Sequence, residues 1–89
     1  MNKKINSVAV LGSGTMGTGI AALAADKNCK VLLLDINEDA INKSKAIITN
    51  EKKPILSLPG NINNITFDTF DNSFDKISNY DWICEAVVE

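Results

Sequence analysis

Histidine and arginine are both missing from these 89 residues: all nine basic side chains are Lys, set against eleven Asp and Glu. Without His, the side chain most often used to take a proton at neutral pH, the chain holds no ordinary general base. Without Arg it has no planar guanidinium to clamp a phosphate through two bonds. A net charge of −2 with no basic cluster gives no electrostatic ground for binding nucleic acid or an anionic membrane. No apolar run approaches the roughly 20 residues needed to cross a bilayer, so no membrane partner is expected. The two cysteines, Cys29 and Cys84, have no metal-ligand or redox spacing. Each sits beside apolar strand positions and reads as a small buried thiol without chemistry. Met1-Asn2-Lys3-Lys4 leaves no room for an apolar signal core before the first apolar run, so a cytoplasmic location is the expectation.

What is present gathers around Gly12-Ser13-Gly14-Thr15-Met16-Gly17. Val8-Ala9-Val10-Leu11 before it is continuously apolar, as in a strand of a parallel sheet covered on both faces. The glycines then have separate tasks. Gly12 permits the tight turn out of the strand, Gly14 lets backbone approach a pyrophosphate, and Gly17 lets the following helix lie close to the sheet. An anion there would meet unpaired N–H groups and the positive end of the helix dipole. A second apolar run, Val31 to Leu34, ends at Asp35, near the distance at which a dinucleotide fold delivers an acid to the adenosine ribose. Asp35 would accept ribose hydroxyls and repel a 2′-phosphate, so NAD is expected over NADP. Glycines serving only close helix packing would leave Asp35 unexplained.

The rest of the chain supports an α/β reading, the N-terminal portion of a Rossmann-type doubly wound parallel sheet. Ile20, Leu23 and Ala24 recur at helical spacing among small alanines, so a first helix is expected to lie close against the sheet as far as about Lys27, and Asn28 is a left-handed helix stop. Asn37 is expected to cap a second helix, with Glu38 and Asp39 in its first turn and Ala40, Ile41, Ser44, Ile47 and Ile48 facing inward. That helix should fade before Pro54. Ile55 to Gly60 reads as a packed connector, and Ile65-Thr66-Phe67 as a short third strand. Between Asp68 and Lys76 a brief helical turn should carry Phe70 and Phe74 inward, and Trp82-Ile83-Cys84 should form a fourth strand. A complete doubly wound domain needs more strands than 89 residues supply, so residues 1–89 are expected to form one partial dinucleotide-binding domain.

These segments resemble the NAD-binding domain of the 3-hydroxyacyl-CoA dehydrogenases, over nearly the whole chain. The resemblance rests on Val8 to Ala21, on Leu33-Leu34-Asp35-Ile36, and above all on Asp81-Trp82-Ile83-Cys84-Glu85-Ala86-Val87-Val88-Glu89. Lys53-Pro54 and Gly60-Asn61 look more like the long multifunctional members. The resemblance implies oxidation of a 3-hydroxyacyl-CoA to a 3-ketoacyl-CoA in fatty-acid β-oxidation, with hydride passed to NAD. It assigns Gly12, Gly14, Thr15, Met16 and Gly17 to the pyrophosphate loop and Asp35 to the ribose. Ala86, Val87 and Glu89 go to the nicotinamide side, and Glu85 keeps a structural role. It also implies that the family's Ser, His-Glu pair and Asn lie beyond Glu89. These 89 residues are therefore expected to bind cofactor without turnover. The acyl-CoA site and the helical domain that carries much of the family's dimer contact belong to the full-length enzyme.

Two other readings stand beside this one. The chain could be a self-standing NAD-binding or interaction module whose unfinished sheet edge pairs with another chain, giving a homodimer. It could also be a relative of the 3-hydroxyisobutyrate and 6-phosphogluconate dehydrogenases, whose glycine loop also contains Met. Asp35 and the ending of the fourth strand disfavour that last reading.

Overall fold

The computed structural model describes residues 5–50 and 52–86. Its elements alternate: β1 (Ser7–Leu11), α1 (Thr15–Asp26), β2 (Lys30–Asp35), α2 (Glu38–Ile48), a 3-10 turn at Pro59–Asn64, β3 (Ile65–Thr69), the single-turn helix α3 (Phe70–Ser73) running into a second 3-10 stretch, and β4 (Trp82–Glu85). All three strand pairings are parallel and the sheet order is β3-β2-β1-β4. The chain thus moves outward from β1 through β2 to β3, then crosses back to place β4 on the other side of β1.

That reversal follows from which faces need covering. Val8, Val10, Val31 and Leu33 point to one face, where Ala21, Ala22 and Ala25 of α1 and Ile41 and Ile48 of α2 cover them. Ala9, Leu11, Leu32 and Leu34 point to the opposite face, against Phe70, Ile77 and Tyr80 of the crossover. Both central strands are therefore buried on both sides, as their unbroken apolar runs require. At the start of the sheet, Asn6 donates its N–H to Asp81 Oδ2 at 2.8 Å, and Asp81 donates its N–H to Ser7 Oγ at 2.9 Å.

Local signals terminate the helices as their chemistry dictates. Asn28 sits at φ 65°, the left-handed region where Asn is among the few tolerated non-glycine residues. Asn37 caps α2, its Oδ1 accepting the Ala40 N–H at 2.9 Å. Beyond α2, the carboxylate of Asp26 accepts the N–H and hydroxyl of Ser57 and the amide of Asn61, which holds the connector against the end of α1.

Several side chains sit otherwise than their spacing suggests. The buried stripe of α1 is made of its smallest residues, Gly17, Thr18, Ala21, Ala22 and Ala25; Ile20 and Ala24 pack half-buried against the core as expected, while Leu23 is 60% exposed. Close approach to the sheet selects small residues, and the larger ones move to the flanks. Ile47 and Phe74 also face outward, and of the connector's apolar residues only Leu56 is buried. Phe74 instead meets Phe70 edge to face, with ring centroids 6.0 Å apart. Cys29 and Cys84 are half-buried rather than buried, because each lies at the margin of the sheet. Among the described residues no helix is long and apolar enough to cross a membrane.

Candidate functional site

At the carboxyl end of β1, Gly12 takes φ 105°, a conformation that L side chains rarely adopt, and its N–H donates to the Leu34 carbonyl at 2.8 Å. The chain turns directly into α1, whose N-cap is Gly14 and which has no side-chain cap. Its first-turn N–H groups therefore have no side-chain acceptor, and Gly14, Thr15 and Met16 are all exposed at the crest. Gly17 faces the other way. A Cβ built on it would lie 1.8 Å from the Gly12 carbonyl oxygen and 3.4 Å from Ala86 Cβ, so the loop can wrap this closely only around a glycine.

β2 delivers Asp35 to the same end of the sheet. Its Oδ2 accepts the Ser13 N–H at 2.7 Å and the Ser13 hydroxyl at 2.5 Å, and its Oδ1 accepts the Ile36 N–H at 2.6 Å. Partial burial raises the pKa of this carboxyl, but the hydrogen bonds from the Ser13 hydroxyl and the Ile36 and Ser13 N–H groups together hold it below the ordinary Asp value. Asp35 is thus an ionised acceptor at neutral pH. On the other flank of β1, the chain leaves β4 with the Ala86 N–H donated to the Leu11 carbonyl at 2.8 Å, and Ala86 is buried beneath the loop.

Of the residues singled out by sequence, Gly12, Gly17, Asp35 and Ala86 converge at the carboxyl end of the sheet, with Gly14, Thr15 and Met16 on the exposed crest above them. Val87 and Glu89 lie outside the described residues. Pattern reading gives no role to Ser13, which ties the loop to Asp35, or to the buried Thr18 hydroxyl beneath it; it turns Ser44 inward on α2, where the residue is buried, but does not foresee the bond between the Ser44 and Thr18 hydroxyls. A serine between two motif glycines was the available signal for the first. An apolar cavity of about 420 Å³ lies elsewhere, between the end of α2 and the connector, lined by Ile48, Leu56, Pro59 and Ile62. Among the described residues that line it none is charged. Among the described residues no group of three His, Cys, Asp or Glu could hold a metal.

Because β2 and β4 lie on opposite sides of β1, the loop opens at the point where strand order reverses, the place where open α/β sheets bind their ligands. Residues 7–89 match the profile of the 3-hydroxyacyl-CoA dehydrogenase NAD binding domain. The chain belongs to the 3-hydroxyacyl-CoA dehydrogenase family. Within that family it is 40% identical over 96 residues to a Rickettsia felis protein named as a fatty acid oxidation complex trifunctional enzyme, spanning 100% of this chain and 13% of that protein. It is 35% identical over 95 residues to the fatty acid oxidation complex subunit alpha of Colwellia psychrerythraea, spanning 98% of this chain and 13% of that one. The (S)-3-hydroxybutyryl-CoA dehydrogenase of Ralstonia eutropha superposes with a TM-score of 0.75 at 30% identity, over 97% of this chain and 32% of that structure. The chain therefore spans about an eighth of the curated relatives and a third of the solved one. What it shares with them is the NAD-binding, Rossmann-type α/β domain.

The residues fit that cofactor on their own geometry. The cradle at Gly17 leaves no space for a Cβ, the N-terminus of α1 is uncapped, and an ionised acceptor stands beside the loop.

Proposed function

We propose that this chain holds the adenosine and pyrophosphate half of an NAD site, as part of an enzyme that oxidises a 3-hydroxyacyl-CoA to a 3-ketoacyl-CoA. The observation that carries this reading is the convergence of Asp35 and the uncapped start of α1 on the β1–β4 switch point. The N–H groups of the first turn of α1, past Gly14 and around Thr15 and Met16, would meet the pyrophosphate. Gly12 and Gly17 keep the loop low enough for backbone to reach it. Asp35 would accept a ribose hydroxyl, and Ile36, 72% exposed beside it, offers apolar surface to the adenine ring. Ala86, Val87 and Glu89 would border the nicotinamide side. When bound, NAD accepts the hydride released from the substrate's 3-carbon.

The same chain lacks a histidine to take the hydroxyl proton, so in this reading the 89 residues bind cofactor and do not turn substrate over. Calorimetric titration with NADH and NADPH tests the proposal. NADH should bind with NADPH clearly weaker, and Asp35→Ala should narrow that difference. A folded chain that binds neither nucleotide refutes the reading, and dehydrogenase turnover by the purified chain refutes its second half.

A second reading is favoured by the outer strand. Among the described residues β4 pairs only with β1, and Trp82 and Ile83 on it are 51% and 42% exposed. Such an edge is a template for strand addition, and a homodimer formed there would shield it. A concentration-independent monomer mass in solution would dismiss this reading.

A further inference from the structure

Ser13 is fastened at every polar group it has. Its N–H and hydroxyl donate to Asp35 Oδ2 at 2.7 and 2.5 Å, and its carbonyl accepts the Thr18 hydroxyl at 2.7 Å. The Ser13 hydroxyl also lies 3.3 Å from the Ala40 carbonyl, but the shorter bond to a charged acceptor takes its single proton. Thr18 in turn has only one proton to donate, and the Ser13 carbonyl can only accept. Across the 2.8 Å contact between Thr18 Oγ1 and Ser44 Oγ, Ser44 must therefore be the donor. A one-way chain results, from Ser44 on α2 to Thr18 on α1 to the Ser13 carbonyl in the glycine loop. Both hydroxyls are fully buried, Thr18 at 1% and Ser44 at 0% exposure, so water does not compete for these bonds.

The consequence falls on Asp35. A carboxylate offers about four acceptor positions, two on each oxygen. Ser13 occupies both on Oδ2 and the Ile36 N–H occupies one on Oδ1, which leaves one open position, on Oδ1. We propose that Ser13, anchored by the Thr18–Ser44 hydroxyl pair, is a positioning residue that sets nucleotide choice by presenting one Asp35 oxygen to the ribose and preventing the carboxylate from turning away. A 2′-hydroxyl can donate to the open position. A 2′-phosphate meets a carboxylate that can neither rotate nor readily take up a proton. An unclamped Asp35 could do either, and its discrimination would fall. This role rests on the dinucleotide reading above.

The test uses the whole chain in two measurements, one of them independent of any nucleotide. Carbon-detected NMR follows the titration of the Asp35 carboxyl in the unsubstituted protein and in Ser13→Ala, Ser13→Thr, Thr18→Val and Thr18→Ser. Calorimetry then compares NADH with NADPH for each. Ser13→Ala should move the Asp35 titration up toward the ordinary carboxylate range and narrow the NADH preference by about tenfold, the loss of one charge-assisted hydrogen bond. Thr18→Val should move both in the same direction by less, while Ser13→Thr and Thr18→Ser, which keep the hydroxyls, should restore them. An unmoved Asp35 titration in Ser13→Ala overturns the clamp. A moved titration with an unchanged NADH-to-NADPH ratio overturns its role in selection. If the unsubstituted chain binds neither nucleotide while Ser13→Ala still moves Asp35, the dinucleotide reading fails and takes the selection role with it, although the clamp itself stands.

Discussion

Gly17 and Gly19 lie two residues apart in α1, and replacing each by Ala should change stability in opposite directions. In a helix interior Ala is favoured over Gly by about 1 kcal/mol, because glycine loses more backbone freedom on folding. At Gly19 nothing lies within 4 Å of the added Cβ, so that gain should appear almost whole. At Gly17 the added Cβ falls 1.8 Å from the Gly12 carbonyl oxygen, whereas ordinary contact begins near 3.4 Å. The obstacle is backbone, held by the Gly12 N–H bond to Leu34, and Ala86 Cβ already lies 3.4 Å from the added Cβ. Overpacking of this kind costs about 3 kcal/mol or more, which leaves Gly17→Ala destabilised by roughly 2 kcal/mol after the helix gain. For a domain of this size about 1 kcal/mol corresponds to some 4–8 °C in melting temperature. Thermal denaturation followed by circular dichroism should therefore show Gly17→Ala melting roughly 10 °C lower and Gly19→Ala about 4 °C higher. If both variants shift the same way, the close wrap of the loop on α1 is not as described.

Asn28, at φ 65°, should accept Gly with little change or a small gain, whereas Asn28→Val should lose about 1–2 kcal/mol by chemical denaturation, because a β-branched side chain clashes in that region. Asn37→Ala removes the acceptor for the Ala40 N–H and should cost about 1 kcal/mol, while Asn37→Asp should keep most of the cap. Asp35, and also Asp26 and Asp68, have carboxyl pKa values lowered in the folded state. Their contribution is present above the unfolded-state pKa of about 3.9 and is lost as pH falls through the folded values, so stability should drop in acid below about pH 4. Urea midpoints measured across that range should decline less steeply for Asp35→Asn than for the unsubstituted chain, and equal slopes would mean that Asp35 is not held as described.

Much of this molecule is legible from local chemistry alone. The unbroken run from Val8 to Leu11, the glycines after it, Val31 to Leu34 and Asp35 report strand, turn, helix and acid in order, because each depends on near neighbours in sequence. The stop at Asn28 and the cap at Asn37 are local in the same way, each set by one residue's own backbone preference or by a bond spanning three residues. Helix faces were less legible. Spacing places Leu23 and Ile47 on inner faces, but which stripe turns inward depends on how near the sheet lies. Here contact at Gly17 draws α1 in so closely that alanines fill the interface and Leu23 is left outside.

The link from Ser13 to Asp35 spans 22 residues, and that from Thr18 to Ser44 spans 26, so no window of local sequence contains either pair. The side chains could be named as polar and small from the chain alone. Their pairing came only with the sheet, because parallel strands bring the ends of β1 and β2 side by side and set α1 and α2 together on one face. The chain's residue order specified the parts of a dinucleotide site, and packing then settled which hydroxyl holds which carboxylate.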